Sequence, residues 1–149
     1  LSCHLIRNHL FNPVSGTTPG FIADTAKSGG SSPAKYITRP IQLANEATAI
    51  DVRISAYIPG TSEVEMYFRL SNADDSRNLK DTIWTPFNTD GSPDKAVAPS
   101  DDDETFREYQ YSAKDLAKFT SFQIKLVMKG TVSSYPPRVK DLRGIALAV

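Results

Sequence analysis

The stretch Phe119–Lys129, FTSFQIKLVMK, decides the fold. From residue 122 onward every second position is apolar, at Phe122, Ile124, Leu126 and Met128. The positions between them are mostly polar, at Gln123, Lys125 and Lys129, with Val127 as the exception. A period of two is typical of a strand with one buried face and one face in water. The stretch therefore predicts the strand around which a β-sandwich is built.

Strands of the same kind precede and follow this stretch. Apolar alternation predicts them at 35–43, 50–58, 64–70, 83–87, 106–111 and 138–149. Pro40 lacks the N–H that a sheet ladder needs, so it indicates an edge position or a bulge. The sequence PGTSE at 59–63 predicts a hairpin between the strands on either side. About seven to eight short antiparallel strands without a long helix predict an all-β sandwich of jelly-roll-like type.

Two connections and one strand face are also predicted. Residues 44–49 are expected to form a turn. Residues 112–118 are expected to form one helical turn, with Ser112 as a candidate N-cap. The alternation within 106–111 favours burial of the tyrosine side of that strand.

The last strand has an unusual pattern. Ile145, Leu147 and Val149 share one face, and Ala146 and Ala148 share the other. Because the alanines are small and apolar, they do not make a normal water-facing surface. We expect either close packing over them or a position in the middle of a sheet.

Composition and charge narrow the function classes. Of the 149 residues, 40% are hydrophobic and 23% are charged, which is ordinary for one soluble globular domain. Lys and Arg together number 17, as do Asp and Glu, so the formal net charge is zero. Binding to nucleic acid through phosphates normally requires a basic excess, so this class is disfavoured. No apolar run approaches the roughly 20 residues that cross a bilayer, so we expect no membrane partner.

The chain divides into an expected N-terminal arm, residues 1–34, and an expected sandwich domain, residues 35–149. Between 12 and 33 the arm is rich in Gly, Ser, Thr and Pro, which is typical of a flexible or extended linker. Alternatively, the arm lies on a neighbouring subunit, anchored by its apolar residues Val14, Phe21 and Ile22. The sequence starts without Met and has no signal-peptide pattern, so we expect a piece of a longer chain.

Cysteine and histidine are scarce, with one Cys and two His in the chain, at Cys3, His4 and His9. A single cysteine cannot form an internal disulfide, so a reducing compartment is the simpler expectation. Ordinary metal sites need three or four ligands, and a His-based triad needs a histidine in the folded core. We therefore expect no His-based triad. Since the sequence also has zero net charge and no phosphate-cradling Gly loop, we expect no enzymatic activity, no catalytic residue and no cofactor. The alternative of a glycan-degrading enzyme would need two carboxylates that flank a cleft.

The loop at 88–104 contains the densest acidic run, DDDE at 101–104. Carboxylate and amide oxygens are ligands that Ca²⁺ prefers, which makes weak candidates of Asn88, Asp90, Asp94, Asp101 and Asp103. The run NTDGSPD lacks the spacing of a helix-loop-helix calcium site. The alternatives are a solvated loop of turn-forming residues and a contact with a partner.

Four aromatic residues are candidates for contact with a glycan or a partner: Tyr57, Tyr67, Trp84 and Tyr135. An aromatic ring suits the apolar face of a pyranose, so an exposed group of them could form a sugar-stacking platform. Tyr and Trp are equally typical of sheet packing and of subunit interfaces. The sequence leaves both interpretations open.

Six segments follow one another in a characteristic order: KYITRPIQL at 35–43, VEMYFRL at 64–70, PFNTDGSPD at 86–94, FREYQYS at 106–112, FTSFQIKLVMKGT at 119–131 and PPRVKDLRGIALA at 136–148. In this order they resemble the C-terminal β-sandwich domain of structural virion proteins from contractile-tailed phages that infect cyanobacteria. The resemblance covers residues 35–149 and is most specific in the last two segments.

The resemblance implies a structural component of the virion, in the tail or the baseplate, assembled in the host cytoplasm. It implies several copies, with other virion proteins and copies of the chain itself as partners, and no enzymatic activity. The alternative function is a carbohydrate-binding module that recognises a glycan on the host surface.

Overall fold

The computed structural model describes residues 24–30, 32, 34–60, 62–74, 78–94, 105–130 and 136–148. These residues form an all-β sandwich of two antiparallel sheets, which confirms the predicted fold class. The helices in the described ranges are single 3₁₀ turns, at Leu79–Asp81 and Phe87–Thr89. None of the described helices has the length and apolar character needed to cross a bilayer.

Eight strands are described: β1 (Lys35–Ile37), β2 (Ile41–Ala47), β3 (Ala49–Tyr57), β4 (Glu63–Ser71), β5 (Thr85–Pro86), β6 (Arg107–Ala113), β7 (Phe119–Lys129) and β8 (Arg138–Leu147). One sheet has five strands in the order β1-β7-β4-β5, with β2 also paired to β7. The other sheet has three strands in the order β6-β3-β8. Strand β7 has the bounds that the sequence predicts and lies in the interior of the larger sheet.

The predicted strand at 35–43 is two strands that share one edge of β7. Lys35 of β1 pairs with Val127, and Ile41 of β2 pairs with Phe122. The edge position predicted from the missing N–H of Pro40 is confirmed, since β1 and β2 both pair with the outer edge of β7, but the strand is interrupted at Pro40. Thr38 bridges the break, because its N–H donates to the Ile124 carbonyl and its hydroxyl accepts from the Ile124 N–H, both at 3.0 Å.

The core lies between the two sheets. The apolar face of β7 packs there with that of β3, and Leu126 and Ile54 are both fully buried. The rings of Phe68 and Phe87 meet edge to face, with centroids 4.8 Å apart. The Tyr111 hydroxyl donates to the Val64 carbonyl at 2.9 Å and so joins β6 to β4 across the core. Burial of the tyrosine side of β6 is therefore confirmed.

Three predicted connections are wrong. Strands β3 and β4 do not form a hairpin, because both edges of β3 are already paired, with β6 and β8. The PGTSE connection carries the chain to the other sheet instead. Residues 44–49 are mostly strand, because β2 continues to Ala47. The expected helical turn at 112–118 is absent, since β6 runs to Ala113 and Asp115 has a φ of 55°.

Strand β8 lies at an edge, so its expected position in the middle of a sheet is wrong. Ala146 pairs with Ile50 and packs against the core, so the close packing expected over this alanine is confirmed. Ile145 and Leu147 point the other way and are 60% and 43% exposed. At this end of β8 the larger residues Ile145 and Leu147 thus face outward, and Ala146 meets the bulky Ile50 of β3.

Two isoleucines provide a matched test of this core. Ile54 is fully buried, whereas Ile83 is 57% exposed. We expect Ile54→Ala to lower the free energy of unfolding by about 2–5 kcal/mol, because it leaves a cavity between the sheets. Ile83→Ala removes the same atoms at the surface and is expected to change it by less than about 0.5 kcal/mol. Urea denaturation of both variants checks this, and similar losses in the two would contradict the packing described.

Candidate functional site

The second face of β7 is buried, so the expectation that this face lies in water is wrong. Gln123, Lys125 and Lys129 are only 7%, 0% and 2% exposed. They belong to a set of seven buried or nearly buried polar residues, named here the charged layer: Asp24, Glu65, Tyr67, Arg69, Gln123, Lys125 and Lys129. The layer lies on the face of the larger sheet that points away from the core, under Trp84 and the segment that begins at Asp24.

Lys125 is the most completely buried charge in the layer. Its Nζ donates to the carbonyls of Asp24 and Gly29, the latter at 3.1 Å, and lies 3.8 Å from the Asp24 carboxylate. The same Nζ lies 4.4 Å from the ring centroid of Tyr67 and 5.2 Å from that of Trp84. Burial lowers the pKa of Lys125 to about 8, since it outweighs the favourable charge of Asp24.

Glu65 links Lys129, at one end of the layer, to Tyr67 in its middle. Its carboxylate lies 3.0 Å from Lys129 Nζ and accepts a hydrogen bond of 2.9 Å from the Tyr67 hydroxyl. The Tyr67 oxygen in turn accepts from the Asp24 backbone N–H at 3.3 Å. Burial raises the pKa of Glu65 above its ordinary value despite the bonds from Lys129 and Tyr67, and burial also raises the pKa of Tyr67.

Arg69 forms the other end of the layer and is only 8% exposed. Its Nε donates to Gln123 Oε1 at 2.8 Å, and its Nη1 donates to the Lys27 carbonyl at 3.1 Å. Its guanidinium lies 4.3 Å from the ring centroid of Trp84. Gln123 is fixed by its own bond to the Thr38 carbonyl, at 2.9 Å, so the orientation of Arg69 is strongly constrained.

An open groove of about 510 Å³ begins at Arg69. Strands β2, β4 and β7 line it through Gln42, Arg69 and Gln123, and the 3₁₀ turn at Leu79–Asp81 lines it through Lys80. The groove is therefore polar, and Arg69 and Lys80 give it positive charge.

The three described aromatic candidates are buried. Tyr57, Tyr67 and Trp84 are 1%, 0% and 1% exposed, so the expectation of an exposed stacking platform is wrong for these rings. Tyr57 lies near Phe106, with centroids 6.3 Å apart. Tyr67 and Trp84 lie beneath the segment 24–30. The local sequence around these two rings could not indicate that a distant segment covers them. The fourth candidate, Tyr135, lies outside the described residues.

Three of the cation candidates, Asn88, Asp90 and Asp94, are described. Their side chains form hydrogen bonds within their own loop and to Ser112. Asn88 Nδ2 donates to Asp94 Oδ1 at 2.8 Å, and the Ser112 N–H and hydroxyl both donate to the Asp94 carboxylate. Asp90 accepts from the N–H of Ser92 at 2.9 Å. Burial alone would raise the pKa of Asp94, but the hydrogen bonds from Asn88 and Ser112 hold it below its ordinary value.

In these contacts the carboxylate oxygens of Asp90 and Asp94 accept hydrogen bonds from the chain itself. Among the described residues, no group of three or more His, Cys, Asp or Glu side chains is placed to hold a metal ion. The described candidates thus match the alternative of a loop built from turn-forming residues. Asp101 and Asp103 lie outside the described residues.

The anchors Val14, Phe21 and Ile22, together with Cys3, His4 and His9, also lie outside the described residues. The described part of the predicted arm packs on the larger sheet. Ala34 is fully buried, and its carbonyl accepts a hydrogen bond of 3.0 Å from the Met128 N–H. The sequence pattern did not predict the charged layer, although all its members except Asp24 alternate along β4 and β7. Register places Tyr67 beside Lys125 and Arg69 beside Gln123, and such complementary polar pairs were the available signal.

Comparison of the chain with protein-family models and with curated proteins gave no match.

The titration of Lys125 makes stability depend on pH. In the unfolded chain Lys125 keeps its proton up to its ordinary pKa of 10.5, whereas in the fold it loses the proton near pH 8. Between these values the unfolded state binds more protons, so stability should rise with pH in this interval. Urea denaturation of the natural chain and of Lys125→Met checks this. The free energy of unfolding of the natural chain should rise relative to that of the variant from about pH 8 upward. A constant difference from about pH 7 to 9.5 would contradict it.

Gly30 provides a test of the contact between the segment 24–30 and the sheet. Its φ is +85°, and an added Cβ would lie 1.6 Å from Asp24 Oδ1. Gly30→Ala should therefore displace Asp24 and lower the free energy of unfolding by more than about 1 kcal/mol. The control is Gly144→Ala, because an added Cβ there would lie 3.9 Å from Val52 Cγ2, in ordinary contact. Equal stability of the two variants in urea denaturation would show that Asp24 is not held as described.

Proposed function

We propose that the domain is a structural module of a phage virion, in the tail or the baseplate, and that it acts through protein–protein contacts. The virion assignment is supported by the resemblance of residues 35–149 to C-terminal sandwich domains of such proteins. The contact-based mode of action is supported by one observation, the open edge of β8 with its exposed apolar residues Ile145 and Leu147. The proposal includes no catalytic activity.

Strand β8 is suited to pair with another chain. It is ten residues long and pairs with β3 along one edge, so in the described sheet its other edge presents unpaired N–H and carbonyl groups. Ile145 and Leu147 lie on the outer face near the end of this strand. Burying them against a partner would contribute about 25 cal/mol per Å² of apolar area, before the cost of association.

The partner that this edge fits is a second copy of the chain. Antiparallel pairing of two β8 strands about Leu142 would place Asp141 of each copy opposite Arg143 of the other, and opposite charges across strands are favourable. The formal net charge of zero also removes long-range repulsion between copies. Such pairing would join two three-stranded sheets into one continuous sheet.

The carbohydrate-binding alternative is supported by the groove beside Arg69 and no longer by the aromatic residues. Burial of Tyr57, Tyr67 and Trp84 removes the described part of the aromatic platform. The polar groove beside Arg69 is the described feature that favours a ligand, and it lies on the other sheet from β8.

Self-association through β8 is tested with Ile145→Lys. We expect sedimentation equilibrium to show concentration-dependent dimers of the natural chain, and the variant to dissociate at least tenfold more readily, which is about 1.4 kcal/mol. The matched control, Ile83→Lys, changes an equally exposed isoleucine away from β8 and should dimerise like the natural chain. A natural chain that stays monomeric at millimolar concentration, or equal dissociation of both variants, would overturn the contact.

The virion assignment is tested separately. Purified contractile-tailed phage particles that carry the gene should contain the chain by mass spectrometry, and immunogold labelling should place it on the tail or the baseplate. Absence of the chain from the particles would overturn the assignment, whatever the result for β8.

A further inference from the structure

Arg69 differs from the other buried cations in having no carboxylate partner among the described residues. Lys125 lies 3.8 Å from the Asp24 carboxylate, and Lys129 lies 3.0 Å from that of Glu65. The described hydrogen bonds of Arg69 all go to neutral oxygens, those of Gln123, Lys27 and Thr82. A cation that is only 8% exposed and has no counter-charge within the described ranges is costly, so an anion is favoured beside it.

The guanidinium of Arg69 is already held in a fixed orientation before an anion binds. Its Nε and Nη1 are occupied within the chain, which holds the planar group in one orientation against Trp84. Among the described contacts, Nη2 has no partner and remains for a ligand. A group held in this way loses little conformational entropy when it binds, and guanidinium suits the oxygens of phosphate, sulfate and carboxylate.

The groove beside Arg69 adds a second charge. Lys80 is exposed and lines the same groove, and no Asp or Glu is among the described residues that line it. Described acids lie outside this lining: Glu46 accepts a hydrogen bond of 3.2 Å from Asn72 Nδ2, and Asp74 and Asp81 follow the lining residues Ala73 and Lys80 in the chain. The described lining of the groove thus carries two positive charges and no negative charge.

The rest of the groove suits a ligand rich in hydroxyl groups. Side-chain amides and hydroxyls line it, at Gln42, Asn78, Thr120 and Ser121. The hydroxyl of Thr120 is buried and has no hydrogen-bond partner among the described residues. A volume of about 510 Å³ is within the range of small-ligand sites, so a monosaccharide or disaccharide fits.

We propose that this groove binds an anionic sugar, with its phosphate, sulfate or carboxylate group on Arg69 and Lys80 and its hydroxyls on the surrounding amides and hydroxyls. The site lies on the larger sheet, so the proposal does not depend on the β8 contact or on the virion assignment.

The experiment uses the full chain and the fluorescence of its only tryptophan, Trp84, which lies against Arg69. The probes are glucose 6-phosphate, glucuronate, glucose and inorganic phosphate. The anionic sugars should bind at least tenfold more tightly than glucose or phosphate, and binding should weaken as salt rises. Equal binding of phosphate and glucose 6-phosphate would overturn the sugar contacts, and equal binding of glucose would overturn the role of the anion.

Variants distinguish the groove from other surfaces. Arg69→Lys should weaken binding of the anionic sugars at least tenfold, because lysine cannot form the planar contact. Since Arg69 is buried, the second variant is Lys80→Gln, at an exposed position where folding should be unaffected, with an expected loss of about threefold to tenfold. Lys114→Gln, an exposed lysine outside the groove lining, is the matched control and should bind like the natural chain. Unchanged binding in Lys80→Gln, or an equal loss in Lys114→Gln, would overturn the proposal.

Discussion

The burial of Lys125 is the constraint on which the rest of the larger sheet depends. A fully buried ammonium group must regain the interactions that water would have provided. Here they come from the carbonyls of Asp24 and Gly29, the Asp24 carboxylate and two aromatic faces. All of these except Tyr67 lie outside β4 and β7. The charge on the central strand therefore determines where the segment 24–30 and Trp84 must lie.

This constraint gives the two faces of the larger sheet different physical roles. The inner face is apolar and supplies most of the stabilising burial through residues such as Leu126 and Phe122. The outer face supplies little net stability, because the desolvation of Lys125, Lys129 and Glu65 offsets much of their attraction. Its contribution is geometric, since each of these groups is tolerated only in one arrangement of partners. The outer face thereby fixes the orientation of Arg69 next to the groove.

Those features of the fold that depend on local alternation could be predicted from the sequence. The bounds of β7, the inward faces of β3 and β6, and the edge position at Pro40 all follow from the period of two and from proline chemistry. Features that depend on distant segments could not be predicted. Lys125 looks solvent-exposed until Asp24, 101 residues away, is placed over it. The supposed hairpin at 59–63 fails for the same reason, because only the assembled sheet shows that both edges of β3 are taken.

The exposed residues of β8 show how sheet position reverses a prediction from side-chain size. Ile145 and Leu147 would be expected to face the core, but Ile50 and Val52 of β3 already fill that space. At this end of β8 the groups opposite them are small, namely Ala146 and Gly144, whereas Leu142 and Val139 further along the strand pack into the core. The large side chains are consequently left outside, on an edge strand. Because the groove beside Arg69 lies on the opposite sheet, pairing of two copies through β8 would leave both grooves accessible to ligand.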